Sequence, residues 1–353
     1  MTVAITPSTI SHWGRELQSE STPLARRYRA LFALKHHACL EPPTENTQPA
    51  IEAMAGAFST PSALLKHEVA YCLGQTKNRS TAKYLRAVLE NRDEDPMCRH
   101  EAAEAIGALG DTDSLALLKA RRDDEAEKTV VRETCEIAVE RIEWENGVDR
   151  NGEKIRKRLE FIHKRGSMRD DANVCSSDFS SIDPAPPMPE EDSRPNIPEL
   201  QRTLTDESIP LFKRYRAMFA LRDLASPPDL PTAVPAVHAL ATGFSDSSAL
   251  FRHEIAFVFG QLSHPASIPS LSEALSNLSE DAMVRHEAAE ALGGLGEEEG
   301  VEEFLKKFLH DKEKVVAESV QVALDMAEFE KSGELNYASV PGEETAPVVV
   351  ASA

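Results

Sequence analysis

Long apolar runs, a basic leader, cysteine pairs, cationic residues and aromatics are all scarce in this 353-residue chain. No stretch approaches the roughly 20 consecutive apolar residues that cross a bilayer. The opening, MTVAITPSTISHWGRELQ, has no basic segment followed by an apolar one, so a soluble chain without a secretory leader is expected. The five cysteines (Cys39, Cys72, Cys98, Cys135, Cys175) are odd in number, scattered and free of CxxC spacing, which points to a reducing compartment. Lys and Arg total 39 against 59 Asp and Glu, and the net charge of -20 argues against a nucleic-acid backbone as partner. That charge would draw in a cationic partner, although acidity also serves solubility alone. Aromatics are only 6% of residues while Ala, Leu and Glu abound, a mixture that favours helices.

What is abundant is repetition. KHEVAYCLGQ (66–75) returns as RHEIAFVFGQ (252–261), and RHEAAEAIGALG (99–110) returns as RHEAAEALGGLG (285–296), both at an offset of 186. RYRALFAL (27–34) returns as RYRAMFAL (214–221) at 187, so one insertion or deletion separates it from the others. The first half of the chain has been duplicated. Within each half a shorter period of 33 residues separates His67 from His100 and His253 from His286, a length that suits a helical hairpin. Extending the pattern to Arg27-Tyr28-Arg29-Ala30 before and Val131-Arg132-Glu133-Thr134 after gives about four units per half.

Apolar residues such as Ala102, Ala105, Ile106 and Leu109 recur at helical spacing, without strand-like alternation. Gly74, Gly110, Gly260 and Gly296 follow the periodic stretches, where helices commonly end. The chain lacks the TPLH turn of ankyrin arrays and the Trp/Gly/Tyr spacing of tetratricopeptide arrays. Asp95-Pro96-Met97-Cys98-Arg99 before a small-residue helix instead resembles short HEAT-like repeats. The expected fold is therefore all-α: two duplicated halves of four HEAT-like helical hairpins forming an α-solenoid. The halves span 1–165 and 196–332, joined by a Ser/Asp/Pro-rich segment (166–195) expected to be a mobile linker and followed by a disordered tail (333–353). Arg156–Arg165 is expected to extend the helical part.

Four of the eleven histidines are followed directly by Glu: His67-Glu68, His100-Glu101, His253-Glu254 and His286-Glu287. Chance gives about one such pair. All four fall at the start of the inner helix of the second and third unit in each half. The first and fourth units place Tyr28, Arg132, Tyr215 and Ala317 there, so the repeat itself does not require His. Because solenoid units stack in similar orientation, His67 should neighbour His100 and His253 should neighbour His286. A lone His on a helix is usually a packing or surface residue and a lone Glu in a first turn usually serves the helix dipole. Four coincident pairs are another matter, since converging carboxylates cannot all stay ionised without a cation. Imidazole with carboxylate suits iron, manganese or zinc. Position i+4 from each His holds Tyr71, Glu104, Phe257 and Glu290, so no HExxH zinc motif is present. The twofold pattern implies one metal per half, meeting where the halves face each other.

The paired motifs HEVAYCLGQ and HEIAFVFGQ, with RHEAAEAIGALG and RHEAAEALGGLG, resemble those of deoxyhypusine hydroxylases over nearly the whole chain. That resemblance implies a monooxygenase with two Fe ions that uses O2 to hydroxylate the deoxyhypusine side chain on the precursor of the hypusine-bearing translation factor. Carried over by motif, one iron would be bound by His67, His100 and Glu101 and the other by His253, His286 and Glu287. Glu68 and Glu254 would stand near the substrate amine, and Met97 and Met283 would line the channel or simply pack. The expected partner is the basic tip of that factor, with neither nucleic acid nor membrane involved. The expected state is a monomer in the cytoplasm, with the nucleus as a second location. A non-catalytic HEAT scaffold would share the architecture, and a dinuclear hydrolase would share the ligands.

Overall fold

A computed structural model describes residues 6–147, 181–188 and 196–332. The segment Arg156–Arg165, most of the 166–195 connection and the tail from 333 lie outside the described residues. Those described form helices and turns without a strand, as sixteen α-helices in eight hairpins. In the first half these are α1 (Pro7–Gln18), α2 (Leu24–Ala38), α3 (Thr47–Gly56), α4 (Ala63–Gln75), α5 (Ala82–Glu90), α6 (Pro96–Ala108), α7 (Leu115–Arg122) and α8 (Thr129–Asn146). In the second half they are α9 (Ile197–Thr205), α10 (Leu211–Leu224), α11 (Ala233–Ala241), α12 (Ala249–Leu262), α13 (Ile268–Ser276), α14 (Ala282–Gly293), α15 (Val301–Leu305) and α16 (Lys314–Ser332). The expected all-α HEAT-like architecture, four hairpins to a half, is what the chain adopts.

Local chemistry repeats with the hairpins. Each inner helix that carries a His-Glu pair starts on a side-chain cap. Ser62 accepts from Leu65 N at 3.1 Å and Asp95 from Met97 N at 2.9 Å. Ser248 and Asp281 do the same for α12 and α14. An arginine near the start of an inner helix then reaches back to the carbonyl ten residues earlier, at the end of its outer helix. Arg27 donates to Leu17 O, Arg99 to Leu89 O, Arg132 to Arg122 O, Arg214 to Leu204 O and Arg285 to Leu275 O. This satisfies an orphan carbonyl of one helix and sets the hairpin register in a single contact.

That register moves one position in the sequence alignment. Arg132 makes the bond of Arg99, so Glu133, not Arg132, stands where His100 stands. By the same step Glu318 replaces Ala317. Glu133 and Glu318 accept hydrogen bonds from the capping serines of the opposite half, Ser248 at 2.7 Å and Ser62 at 2.8 Å. The fourth-unit sites, which lack His, therefore join the halves.

The inner helices pack in sequence, α2 through α16, and α16 returns to α2 as α8 meets α10, so the solenoid closes into a ring. Arg29 grips Asp325 with two hydrogen bonds of 2.9 Å at one seam. Each half keeps its own hydrophobic core but borrows from the other: Val322 of α16 packs in the first core and Ile137 of α8 in the second. Close packing of inner helices depends on glycine. A Cβ at Gly74 would lie 2.7 Å from Ala105 Cβ. Gly74 and Gly260 lie in the last turn of α4 and α12, just before the expected helix ends, and Gly110 follows α6 at φ 61 as a terminating glycine does.

Part of the connection differs from a free linker. Ser181–Met188 is packed against the inner helices, and none of its eight residues is exposed.

Candidate metal centre

Ten of the thirteen residues of α6 are buried, because an outer helix, two inner neighbours and the ring centre surround it. Polar side chains on such a helix need partners. The four His-Glu pairs supply the test, since α4, α6, α12 and α14 aim their histidines at one point. His67 lies 5.3 Å from His100, 5.8 Å from His253 and 5.3 Å from His286, ring centre to ring centre. His253 is 5.4 Å from both His100 and His286. The expected neighbours meet, and the two halves meet as well.

Carboxylates surround the imidazoles. His67 Nε2 is 3.3 Å from Glu101 Oε2, and His253 Nε2 is 3.4 Å from Glu287 Oε2, the same contact in each half. Ligand atoms lie within 4.8 Å of one another in three groups: His67, His100 and Glu101; His67, His253 and His286; and His286, Glu287 and Glu290. The first is the expected triad of the first half. The expected triad of the second half, His253, His286 and Glu287, meets pairwise, with Glu290 drawn in beside His286. Glu68 is 3.7 Å from His67 Nδ1, and Glu254 is only 1% exposed. Met97 and Met283, one turn before His100 and His286, are buried among the apolar residues of their own halves.

Glu104 and Glu290 were noted in the sequence only as the residues that break HExxH. They are half-buried carboxylates of the site, four residues beyond His100 and His286 on the same helix face. His286 Nδ1 is 3.3 Å from Glu290 Oε1, which also accepts from Ser319 at 2.8 Å. The signal was the repeated HEAAE string itself. Ser181–Met188 was legible only as linker, because its single acidic group, Asp183, carries no motif.

The electrostatics call for a cation. Both ring nitrogens of His67, His100 and His253, Nε2 of His286, and Oε1 of Glu254 are buried without a hydrogen-bond partner. Burial pushes the Glu104, Glu254 and Glu290 carboxyls well above the usual range, and neighbouring carboxylates push the same way. Burial also holds His100 and His286 well below the ordinary imidazole value, with His67 and His253 adding to it. His67 goes the other way: burial disfavours its charge, but Glu101 and then Glu68 outweigh that. Orphaned imidazole nitrogens are costly in a dry interior and become ligands when a metal is present. Mixed imidazole and carboxylate donors in two linked sets fit a pair of divalent transition ions.

Comparison with known proteins agrees with this geometry. The HEAT repeats family matches residues 50–140 and 235–325, which places the chain among HEAT-repeat proteins. Deoxyhypusine hydroxylase of Phaeosphaeria nodorum is 68% identical over 92% of both chains, and that of Neosartorya fischeri is 64% identical over 94% of both. The human deoxyhypusine hydroxylase structure, in complex with glycerol, is 40% identical and superposes with a TM-score of 0.74 over 92% of this chain and 97% of that one. The chain belongs to the deoxyhypusine hydroxylase family. Among the described residues no helix is long and apolar enough to cross a membrane.

Proposed function

We propose that this protein is an iron-dependent monooxygenase that hydroxylates the deoxyhypusine side chain of a translation factor precursor. The observation that carries the reading is the cluster of four buried imidazoles, seven of whose nitrogens make no hydrogen bond although carboxylates stand beside them, at the meeting of two duplicated halves. One ion is assigned to His67, His100 and Glu101 and the other to His253, His286 and Glu287. The bound iron pair would supply oxygen activation and the redox change.

The chain's own residues supply the rest. His100 and His286, kept neutral by burial, are ready to ligate at neutral pH. Glu290 Oε1, beside His286 Nδ1, fixes that ring and can hold a proton on its raised carboxyl. Glu254 and Glu68 receive the ammonium end of the substrate side chain through charge-assisted hydrogen bonds. An ammonium beside Glu254 would return its orphaned Oε1 to a paired state. Met97 and Met283, one turn N-terminal to His100 and His286, are assigned to the wall of the substrate approach. The net charge of -20 favours encounter with a basic partner surface, and the chain acts as a monomer in the cytoplasm and the nucleus.

The test is iron content of the purified chain together with turnover of the deoxyhypusine-bearing factor, with and without air. Two irons per chain and turnover that stops in the absence of oxygen are expected. Turnover that continues anaerobically would replace this reading with a hydrolytic one, and an iron-free protein with full partner binding would replace it with a scaffold.

A further inference from the structure

Along α4 the residues His67, Tyr71 and Gln75 follow at one-turn steps, and along α12 so do His253, Phe257 and Gln261. Below the histidines, Tyr71 and Phe257 meet across the ring centre at 6.0 Å. One turn further, at the C-terminal ends of the inner helices, the two glutamines hold Ser181–Met188. Gln75 Oε1 accepts from Ile182 N at 2.7 Å, and Gln261 Nε2 donates to Ser181 Oγ at 2.6 Å. Asp183 accepts from Arg222 Nη1 at 2.7 Å, and Arg141 donates to the Asp183 carbonyl. The Arg222 side chain is fully buried, and its charge is shared between Asp183 and Asp223, whose Oδ1 accepts from Arg222 Nη2 at 2.8 Å. Arg216 Nε donates to Pro186 O at 3.2 Å and its carbonyl accepts from Met188 N at 3.0 Å, while Ala185 is wholly buried in the second core. The anchors come from α4 and α8 of one half and α10 and α12 of the other.

We propose that Ser181–Met188 is a fixed stopper that closes the ring at the C-terminal ends of its inner helices and sets the spacing of the two halves, with Asp183 as its positioning residue. A side chain that reaches the histidines then does so from the opposite mouth, past Met97 and Met283. The inference rests on the reading of the histidine cluster as an iron site with a side-chain substrate.

Two measurements on the full chain test it. Amide exchange in the metal-free protein reads the stopper directly. Asp183→Ala should speed exchange at Ile182 and Met188 by roughly 100-fold, and Asp183→Asn by less, while α5 and α13 stay as protected as in the wild type. Loss of iron to a small chelator reads the mouth. Met283→Trp should slow that loss, and adding Asp183→Ala should restore it by about tenfold or more. Unchanged exchange in Asp183→Ala, faster exchange spread evenly through both halves, or a double variant as slow as Met283→Trp would each overturn the proposal. If Asp183→Ala does not fold, Gln261→Ala takes its place with the same expectations. A chain that never binds iron would sink the proposed function, and the metal-free exchange would still decide the stopper.

Discussion

The two halves of the ring share an origin and a ligand set, yet their surroundings have diverged. Glu290 engages His286 and Ser319 in the second half, whereas in the first both nitrogens of His100 lack a protein partner. Tyr71 faces Phe257 across the centre. Gly74 is pressed on Ala105, but a Cβ at Gly260 would sit 3.5 Å from Ala291, an ordinary contact. Duplication supplied identical donors, and the divergence lies in what holds them. On the proposed reading the ligand positions answer to a metal, while the neighbours answer only to packing, which tolerates several solutions.

The comparison can be broken most severely at the ligands. His100→Ala should reduce bound iron and abolish turnover. If instead one half retains its ion at full occupancy and turnover persists, the halves are independent sites and not one centre, as iron analysis and the oxygenation assay would reveal.

The next largest effect concerns the buried ion pairs that hold the hairpins, Arg99 with Glu127 and Arg285 with Asp311. Glu127→Ala leaves Arg99 unpaired and should cost about 3 kcal/mol in denaturant unfolding, as should Asp311→Ala. Hydrogen bonding from the arginine first of all holds both carboxyls below their ordinary values. A depressed folded value means stability present above the unfolded pKa and lost as pH falls through the folded one. Acid unfolding should therefore begin in both halves below the ordinary carboxylate range, and Glu127→Ala should flatten that dependence in the first half. Equal acid sensitivity with and without Glu127 would contradict the assignment.

Glu254 and Glu68 sharpen the comparison at the substrate. Glu254→Ala should keep iron and raise KM by about 10- to 100-fold, the loss of one charge-assisted hydrogen bond. Glu68→Ala should do less, because Glu68 already has His67 at 3.7 Å. Iron loss in Glu254→Ala would move that residue from substrate holder to ligand.

The smallest effects are in the packing. Gly74→Ala should destabilise by about 1–3 kcal/mol through overlap with Ala105. Gly260→Ala should be neutral or stabilising by up to about 1 kcal/mol through helix propensity. Equal effects on thermal unfolding would mean the inner helices are spaced alike in both halves.

Much of this was legible before any coordinates. The period of 33, the offset of 186 and the four His-Glu strings define eight hairpins and place the donors at equivalent positions, because a periodic sequence stacks its equivalent residues on one face. Glu133 and Glu318 were misplaced by one residue, since their units lack the His that fixes the alignment and only the arginine-to-carbonyl bond reveals the register. Glu104 and Glu290 stood in view in HEAAE, but a carboxylate one turn from a ligand reads as surface until burial is known.

The sequence alone determined the repeat, its duplication and the four His-Glu pairs offered as candidate donors, because these depend on local periodicity and residue chemistry. Tertiary structure decided that the solenoid closes, that both donor sets face one point, and that Ser181–Met188 fills the far end. Those outcomes depend on the summed small rotation between successive hairpins and on contacts between residues far apart in the chain, such as Arg29 with Asp325, which no local pattern encodes.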